Sequence, residues 1–200
     1  MSDWLETLEA LFFPEYEVSR AAWVGRLVLG LALTLWGASF LVHGIDAEVL
    51  GTSFLHPVHL AFHEAGHLLF IPLGRFMTFL GGTLGQLLMP TICALALLLQ
   101  TRDAFGASVA TWWLGQSFLD CAPYIDDARA QRLMLVSGMT GREGGGHDWN
   151  NILIDLDLAM KDHLIARACF GLGALVMMAS LAWGYAVLWR QHRALRDDGS

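Results

Sequence analysis

Long apolar stretches, separated by short polar segments, form the main pattern of this chain. A helix needs about 20 apolar residues to cross a bilayer, and five stretches reach that length or come close to it. We therefore predict an all-α fold, a polytopic transmembrane helix bundle with about five membrane segments. The stretches occupy residues 23–42, 59–73, 84–100, 105–119 and 164–189.

Two other segments show the period of an amphipathic helix. Residues 1–20 contain WLETLEALFF, whose apolar residues share one helical face, so we predict a short helix in the membrane interface. Residues 122–163 form the only long polar region, an extramembrane loop that contains a second amphipathic run. We expect residues 1–200 to form a single integral membrane domain. The apolar face of the second run comprises Trp149, Ile152, Leu153, Leu156 and Met160.

The composition supports a membrane protein and excludes one class of partner. With 55% hydrophobic and 16% charged residues, the chain is too apolar for an ordinary soluble domain. The net charge of -7 and the lack of a basic block exclude a nucleic-acid-binding surface. Three widely spaced cysteines without a CxxC pair indicate buried free thiols rather than disulfides or a zinc cage. We expect the lipid bilayer of the bacterial inner (cytoplasmic) membrane as the environment.

The arginines predict a conflicting topology. Arg20 and Arg26 flank the first apolar stretch, and three more arginines follow the last one. Cytoplasmic loops carry an excess of Lys and Arg, so both ends of the chain are predicted to be cytoplasmic, which five complete crossings do not allow. Either one end departs from this tendency or a middle stretch is re-entrant. Residues 79–90, FLGGTLGQLLMP, are the re-entrant candidate, because glycines and Pro90 suit broken backbone that is buried in protein.

A glutamate lies between two histidines in the second apolar stretch, HLAFHEAGHLLFIPLG. His63 and His67 are four residues apart, so in a helix both imidazoles project from one face and reach the same metal ion. Glu64 points about 100° around the helix, where it approaches a water held by the metal. Zinc lowers the pKa of such a water towards ~7, and the carboxylate takes its proton and passes it to the leaving amine. The spacing therefore predicts a zinc site that hydrolyses peptide bonds.

The alternative is a chance match, since HExxH fixes only three positions. The membrane context argues against chance. An ionisable residue at the centre of a membrane helix costs ~2.5–3.5 kcal/mol on insertion scales, so three of them within five positions need a compensating role. We interpret the motif as a metal site.

The segment FHEAGHLL in an apolar helix resembles the site-2 protease family of intramembrane zinc metalloproteases, whose HExxH is often HExGH, and Gly66 matches that form. The resemblance implies cleavage of a transmembrane or membrane-anchored protein substrate, with Zn2+ on His63 and His67 and with Glu64 as the catalytic residue. The family takes its third ligand from an aspartate in a later helix, in a pattern close to N-x-x-P-x-x-x-[LF]-D-G. Here residues 118–129, FLDCAPYIDDAR, occupy that place without the asparagine or the Asp-Gly pair.

The third zinc ligand stays open among several residues. A catalytic zinc needs three protein ligands and an open position. Asp126 and Asp127 follow Pro123, where an apolar stretch ends, and this place favours the pair; between the two we take Asp127 narrowly over Asp126. The alternative role of the pair is to cap a helix. The full set of candidates is Asp120, Asp126, Asp127, His147 and Asp148.

Two glycine-containing segments keep two interpretations each. In GGGHDW, Asp148 is the N-cap of the amphipathic helix, with Trp149 as an interfacial anchor. Alternatively, His147 ligates the metal or supports a ligand, on a mobile loop that gates the site. In GGTLGQ, residues 81–86, either extended backbone pairs with an unfolded part of the substrate or small residues allow close helix packing.

A second hypothesis is a non-proteolytic metal-binding membrane protein or partner subunit, with a structural or transported ion on the same histidines. The further histidines His43, His56 and His59 support it, although we expect His59 to support a ligand or to face water. Haem ligation by paired transmembrane histidines is a third hypothesis, and it leaves Glu64 without a purpose. Four protein ligands favour a structural site, whereas three plus water favour the enzyme. The sequence leaves the oligomeric state open.

Overall fold

The structure, a computed structural model of the chain, describes residues 3–14, 18–144 and 146–197. Most of these residues are helical and none of them forms a β-strand. Single turns of 3-10 helix follow α4 and precede α9. The helices are α1 (Asp3–Phe12), α2 (Arg20–His43), α3 (Ala47–Gly51), α4 (His56–Phe70), α5 (Arg75–Leu99), α6 (Ala104–Asp126), α7 (Gly141–Gly144), α8 (Asp148–Asp155) and α9 (Asp162–Asp197).

Three helical segments of the described residues are long and apolar enough to cross a membrane. They are α2, α5 and the segment Ala159–Asp197, which contains α9. The all-α prediction is therefore confirmed and the chain has the helices of a membrane protein, but the number of five spans is not confirmed. At ~1.5 Å per residue, the 15 residues of α4 measure only about 22 Å, which is short of a hydrocarbon core of ~30 Å. Helix α6 is longer, but Gln116, Ser117 and Asp120 make its second half polar.

The predicted re-entrant segment, residues 79–90, is an uninterrupted part of α5. The expectation of broken backbone there is wrong, and the glycines have another role. A side chain on Gly81 or Gly85 would overlap the backbone of α4 at Gly66 or Phe62. Small residues thus let α4 and α5 approach closely, which is the second of the two interpretations of GGTLGQ.

The contacts divide the chain into two compact units, and the first comprises residues 1–39, 90–114 and 175–200. Its buried core is Ala104, Phe105, Val187 and Leu188. The Trp23 indole N–H donates to the Leu188 carbonyl at 2.9 Å, and Arg26 pairs with Asp103 at 3.3 Å. The start of α2, the start of α6 and the last part of α9 therefore lie together, so the arginines near both chain ends belong to one end of this unit.

Helix α1 belongs to the first unit and carries the apolar face predicted for an interfacial helix. Trp4 and Leu5 are each more than half exposed, and Leu8 and Phe12 are also exposed. The Trp183 indole N–H donates to the Phe12 carbonyl at 2.9 Å, which fixes the end of α1 against α9. The exposed face suits a helix that lies in the membrane interface.

The second unit comprises residues 40–89 and 115–174 and contains every predicted site residue. Cys121, Ile125 and Ala166 form a buried cluster in it, against which Trp149 packs. All three cysteines of the chain are free thiols, as predicted, but only Cys121 is buried, and Cys93 and Cys169 are half-buried.

The amphipathic run within the polar region is shorter than predicted. Helix α8 buries Ile152 and Leu153, but it ends at Asp155. Leu156 and Met160 are exposed rather than part of the buried face. The chain turns there because Asp157 adopts a left-handed φ of 56°, which ends the helical period.

Candidate metal centre

Three side chains of the second unit converge on one point. His63 and His67 lie one turn apart on α4, and Asp148 is the first residue of α8. Each histidine Nε2 atom is 3.2 Å from the same Asp148 oxygen, Oδ2. Among the described residues, this is the one group of three or more His, Cys, Asp or Glu whose ligand atoms all lie within 4.8 Å of one another.

These separations fit the residues to a zinc ion. Ligand atoms about 2.0–2.1 Å from a tetrahedral ion are roughly 3.3 Å apart, and both N–O separations here are 3.2 Å. Two imidazoles and one carboxylate also match the donor set of catalytic zinc sites. The three residues therefore form a group that could hold a metal ion.

The hydrogen bonds behind the two rings fix their tautomers. His67 Nδ1 lies 2.7 Å from the Thr78 carbonyl oxygen, which only accepts, so Nδ1 carries the proton. His63 Nδ1 lies 3.0 Å from Gln86 Oε1. The Gln86 amide nitrogen donates to the Ser117 carbonyl at 3.3 Å, which orients its oxygen towards His63. The Nε2 atoms of both rings therefore face Asp148 and are the atoms that would bind an ion after losing a proton, as in metal sites whose histidines donate their other N–H to a fixed acceptor.

Asp148 is held from two sides. The Tyr124 hydroxyl donates to Asp148 Oδ2 at 3.2 Å and accepts from the Asp148 backbone N–H at 3.0 Å. Burial alone would raise the pKa of Asp148, but hydrogen bonds with His63 and His67 outweigh it and lower the pKa to about 2. The carboxylate is therefore ionised at neutral pH, which is the state that ligates a metal.

A glycine makes room for the first histidine. A side chain on Gly82 of α5 would overlap the His63 ring. The glycines of α5 thus bring the helix backbone against α4 and leave space for an imidazole between the two helices. Close packing and ligand placement come from the same short segment.

The three residues open onto a cavity of about 840 Å³, a volume typical of ligand sites. Glu64 lines the same cavity and is exposed on α4. Leu60, Phe79 and the segment 133–136 supply apolar wall. No Lys or Arg occurs among the described residues that line it, so the cavity offers no strong cation to a substrate.

The structure brings together the two histidines of HExxH, but the third member of the group is Asp148 and not Asp127. Asp127 accepts hydrogen bonds from the backbone N–H groups of Arg132 and Leu133, at 3.0 and 2.9 Å. It therefore stabilises the turn after α6, close to the capping role considered for it. Asp126 pairs with His163 at 2.6 Å.

His147, rather than Asp148, caps α8. Its Nδ1 accepts from the Asn150 backbone N–H at 3.2 Å, and its ring stacks on Tyr124 with centroids 4.2 Å apart. Burial lowers the pKa of His147, which suits a neutral ring that accepts. The Trp149 indole donates to Thr83 at 3.1 Å, inside the second unit. The N-cap role proposed for Asp148 is wrong, because the residue before it already caps the helix.

Sequence reasoning had Asp148 among its candidates but not as its choice. The available signal was an acidic residue beside a histidine at a helix start, after a run of glycines. That signal gives no distance to His63, which is 85 residues away along the chain. Only the docking of α8 against α4 decides the contact.

Comparisons with protein-family models, with curated proteins and with solved structures give no match. The resemblance to the site-2 protease family therefore depends on the HEAGH motif and its apolar helix. It remains an expectation about this chain.

Proposed function

We propose that this protein is a zinc-dependent endopeptidase that hydrolyses a peptide bond in a transmembrane or membrane-anchored protein, in the bacterial inner membrane. The observation that carries the proposal is the convergence of His63, His67 and Asp148 on one point. That point opens into a cavity that Glu64 also lines. Three protein ligands and an open side are the arrangement of catalytic rather than structural zinc sites.

Each residue of the site has a chemical role in this proposal. Bound zinc supplies a Lewis acid that activates water at neutral pH. Glu64 accepts the proton of the attacking water on its carboxylate and then gives that proton to the leaving amine. Gln86 and the Thr78 carbonyl hold the ligand rings by their Nδ1 atoms, so that neither ring turns away.

The cavity walls favour one class of substrate. Without a lining Lys or Arg among the described residues, the cavity has no partner for a terminal carboxylate, which favours internal bonds over C-terminal residues. Apolar residues on the wall suit an uncharged, extended segment. Three helices able to span a membrane favour a substrate that is itself held at the bilayer.

A non-proteolytic metal site is the competing function. A structural zinc site is closed by a fourth protein ligand. Among the described residues, three donors converge and no fourth His, Cys, Asp or Glu joins them. This open geometry supports hydrolysis over storage or transport of an ion.

Substitution of Glu64 by Gln tests the proposal. Without its proton-accepting carboxylate, Glu64→Gln protein should cleave an unstructured apolar peptide at least about 10²-fold more slowly. It should keep its zinc, because Glu64 is not in the ligand group. The measurement is peptide cleavage in detergent or nanodiscs beside elemental analysis for zinc. Glu48→Gln, on α3 outside the cavity lining, is the matched control and should be fully active. Undiminished cleavage by zinc-loaded Glu64→Gln protein would overturn the mechanism.

A further inference from the structure

A second group of imidazoles and a carboxylate lies in the second unit, outside the metal centre. His56 Nδ1 is 2.9 Å from Asp120 Oδ1, and His59 Nδ1 is 3.1 Å from Asp120 Oδ2. The Asp120 and His59 side chains are 4% and 1% exposed, whereas the His56 side chain is 31% exposed. A carboxylate this deeply buried needs hydrogen-bonding partners, and two rings of α4 provide them.

This group is not gathered around an ion. Only His63, His67 and Asp148, among the described residues, offer three ligand atoms within 4.8 Å of one another. The role of the second group therefore depends on which of its atoms remain available. An ionised carboxylate only accepts, so Asp120 takes the Nδ1 proton of both rings. Nε2 of His56, which lines the cavity, is then left for another partner. The hydrogen bond to Asp120 raises the pKa of His56, which favours the ring form whose Nε2 carries a proton and donates.

The separation between His56 and the metal centre determines how long a peptide must be to reach both. His56 and His63 line the same cavity and are seven residues apart on α4. At ~1.5 Å per residue, this separation is about 10 Å along the helix axis. An extended peptide covers that distance in about three residues, at ~3.3 Å each.

We propose that His56, held by Asp120, is a substrate-binding residue whose Nε2–H donates a hydrogen bond to a backbone carbonyl of an extended peptide. The bound amide lies about three residues from the bond that is cleaved. Asp120 is then a positioning residue, and His59 fixes the second oxygen of its carboxylate. This inference rests on the proposed function and adds to it a subsite for the peptide backbone.

The test compares two peptides of different length. The probes are end-capped, fluorescein-labelled Leu-Ala peptides of eight and of two residues. Binding is measured by anisotropy on zinc-loaded Glu64→Gln protein, which retains the peptides uncleaved. The His56→Ala change in this background should weaken binding of the eight-residue peptide about tenfold, the effect of one lost hydrogen bond. The two-residue peptide should bind equally to both proteins, because at ~3.3 Å per residue it does not cover the distance from the metal centre to His56.

Two further variants separate orientation from folding. Asp120→Asn should weaken binding of the long peptide in the same direction, because His56 loses its fixed orientation. His163→Ala should change neither affinity, although His163 also pairs with an aspartate, Asp126, at 2.6 Å. His163 lies outside the cavity lining, which makes it the matched control.

The outcomes distinguish failure of the proposed subsite from failure of the proposed hydrolytic function. Unchanged affinity of the long peptide in His56→Ala protein overturns the subsite, and so does loss of zinc in that variant, since His56 would then maintain the metal centre. If the protein with intact Glu64 cleaves neither peptide but binds the long one in a His56-dependent way, the hydrolytic function fails and the backbone subsite stands.

Discussion

Helix α4 presents two histidine pairs to two aspartates, and the two arrangements differ in which ring nitrogen meets the carboxylate. His63 and His67 direct Nε2 at a single oxygen of Asp148, while their Nδ1 atoms are held from behind by Gln86 and a carbonyl. The other pair, bound to Asp120, directs Nδ1 at two separate oxygens.

This difference decides what each group does. Rings held by Nδ1 to fixed acceptors direct both Nε2 atoms at one point, which is what a shared ion needs. Rings whose Nδ1 atoms donate to a carboxylate leave Nε2 for something else, as in hydrolases where an aspartate orients a histidine. Residue types alone do not separate a ligand from a substrate contact, because both groups are built from two histidines and one aspartate.

The largest effect expected is loss of zinc on removal of the third ligand. Asp148→Ala protein should lose zinc affinity by at least about 10³-fold, because two imidazoles alone bind the ion poorly. Asp127→Ala should retain about one zinc per chain, since Asp127 accepts backbone hydrogen bonds in its turn and its carboxylate pairs with His147, at 3.6 Å, rather than with the ligand group. Elemental analysis of detergent-purified protein measures both. The reverse pattern, with zinc lost from the Asp127 variant alone, would assign the ligand to Asp127.

The contrast between Asp148 and Asp127 shows which parts of the site the sequence predicts and which it does not. HExxH predicts its own geometry, because residues four apart on a helix face the same side whatever surrounds them. The apolar stretches likewise predict helices. The third ligand, in contrast, depends on how α8 packs against α4, whereas the place of Asp126 and Asp127 after Pro123 favoured that pair. The glycines of residues 81–86 were ambiguous for the same reason, since their partner, Gly66, lies on another helix.

The next effect in size is the pH dependence of zinc binding, which tests the ionised state of Asp148. Metal binding requires both histidines to be deprotonated at Nε2, so acid should lower zinc affinity by up to about a hundredfold per pH unit once they protonate. Asp148 should not contribute between pH 7 and 4. Its pKa is lowered to about 2, so the stabilisation from its ionised form is retained above the ordinary carboxylate pKa and is lost only as the pH falls towards 2.

Zinc affinity between pH 7 and 4, measured by competition with a chromophoric chelator, checks this expectation. At most two protons should be taken up for each zinc ion released. A third proton in this range would mean that Asp148 is protonated together with the histidines and that its hydrogen bonds do not hold it ionised.

The smallest effect expected concerns the hydrogen bond behind one ligand, and it tests why the two histidine groups differ. Gln86→Met keeps a side chain of similar length but removes the acceptor of the His63 Nδ1 proton. Loss of such a partner reduces metal affinity about 10- to 100-fold in metal sites, because the ring is no longer fixed in orientation or tautomer. Zinc affinity of the purified variant measures the change, and Gln100→Met, beyond the end of α5, is the control. Unchanged affinity in Gln86→Met protein would mean that packing against Gly82 alone orients His63. The tautomer difference between the two groups would then no longer explain why one of them gathers a metal.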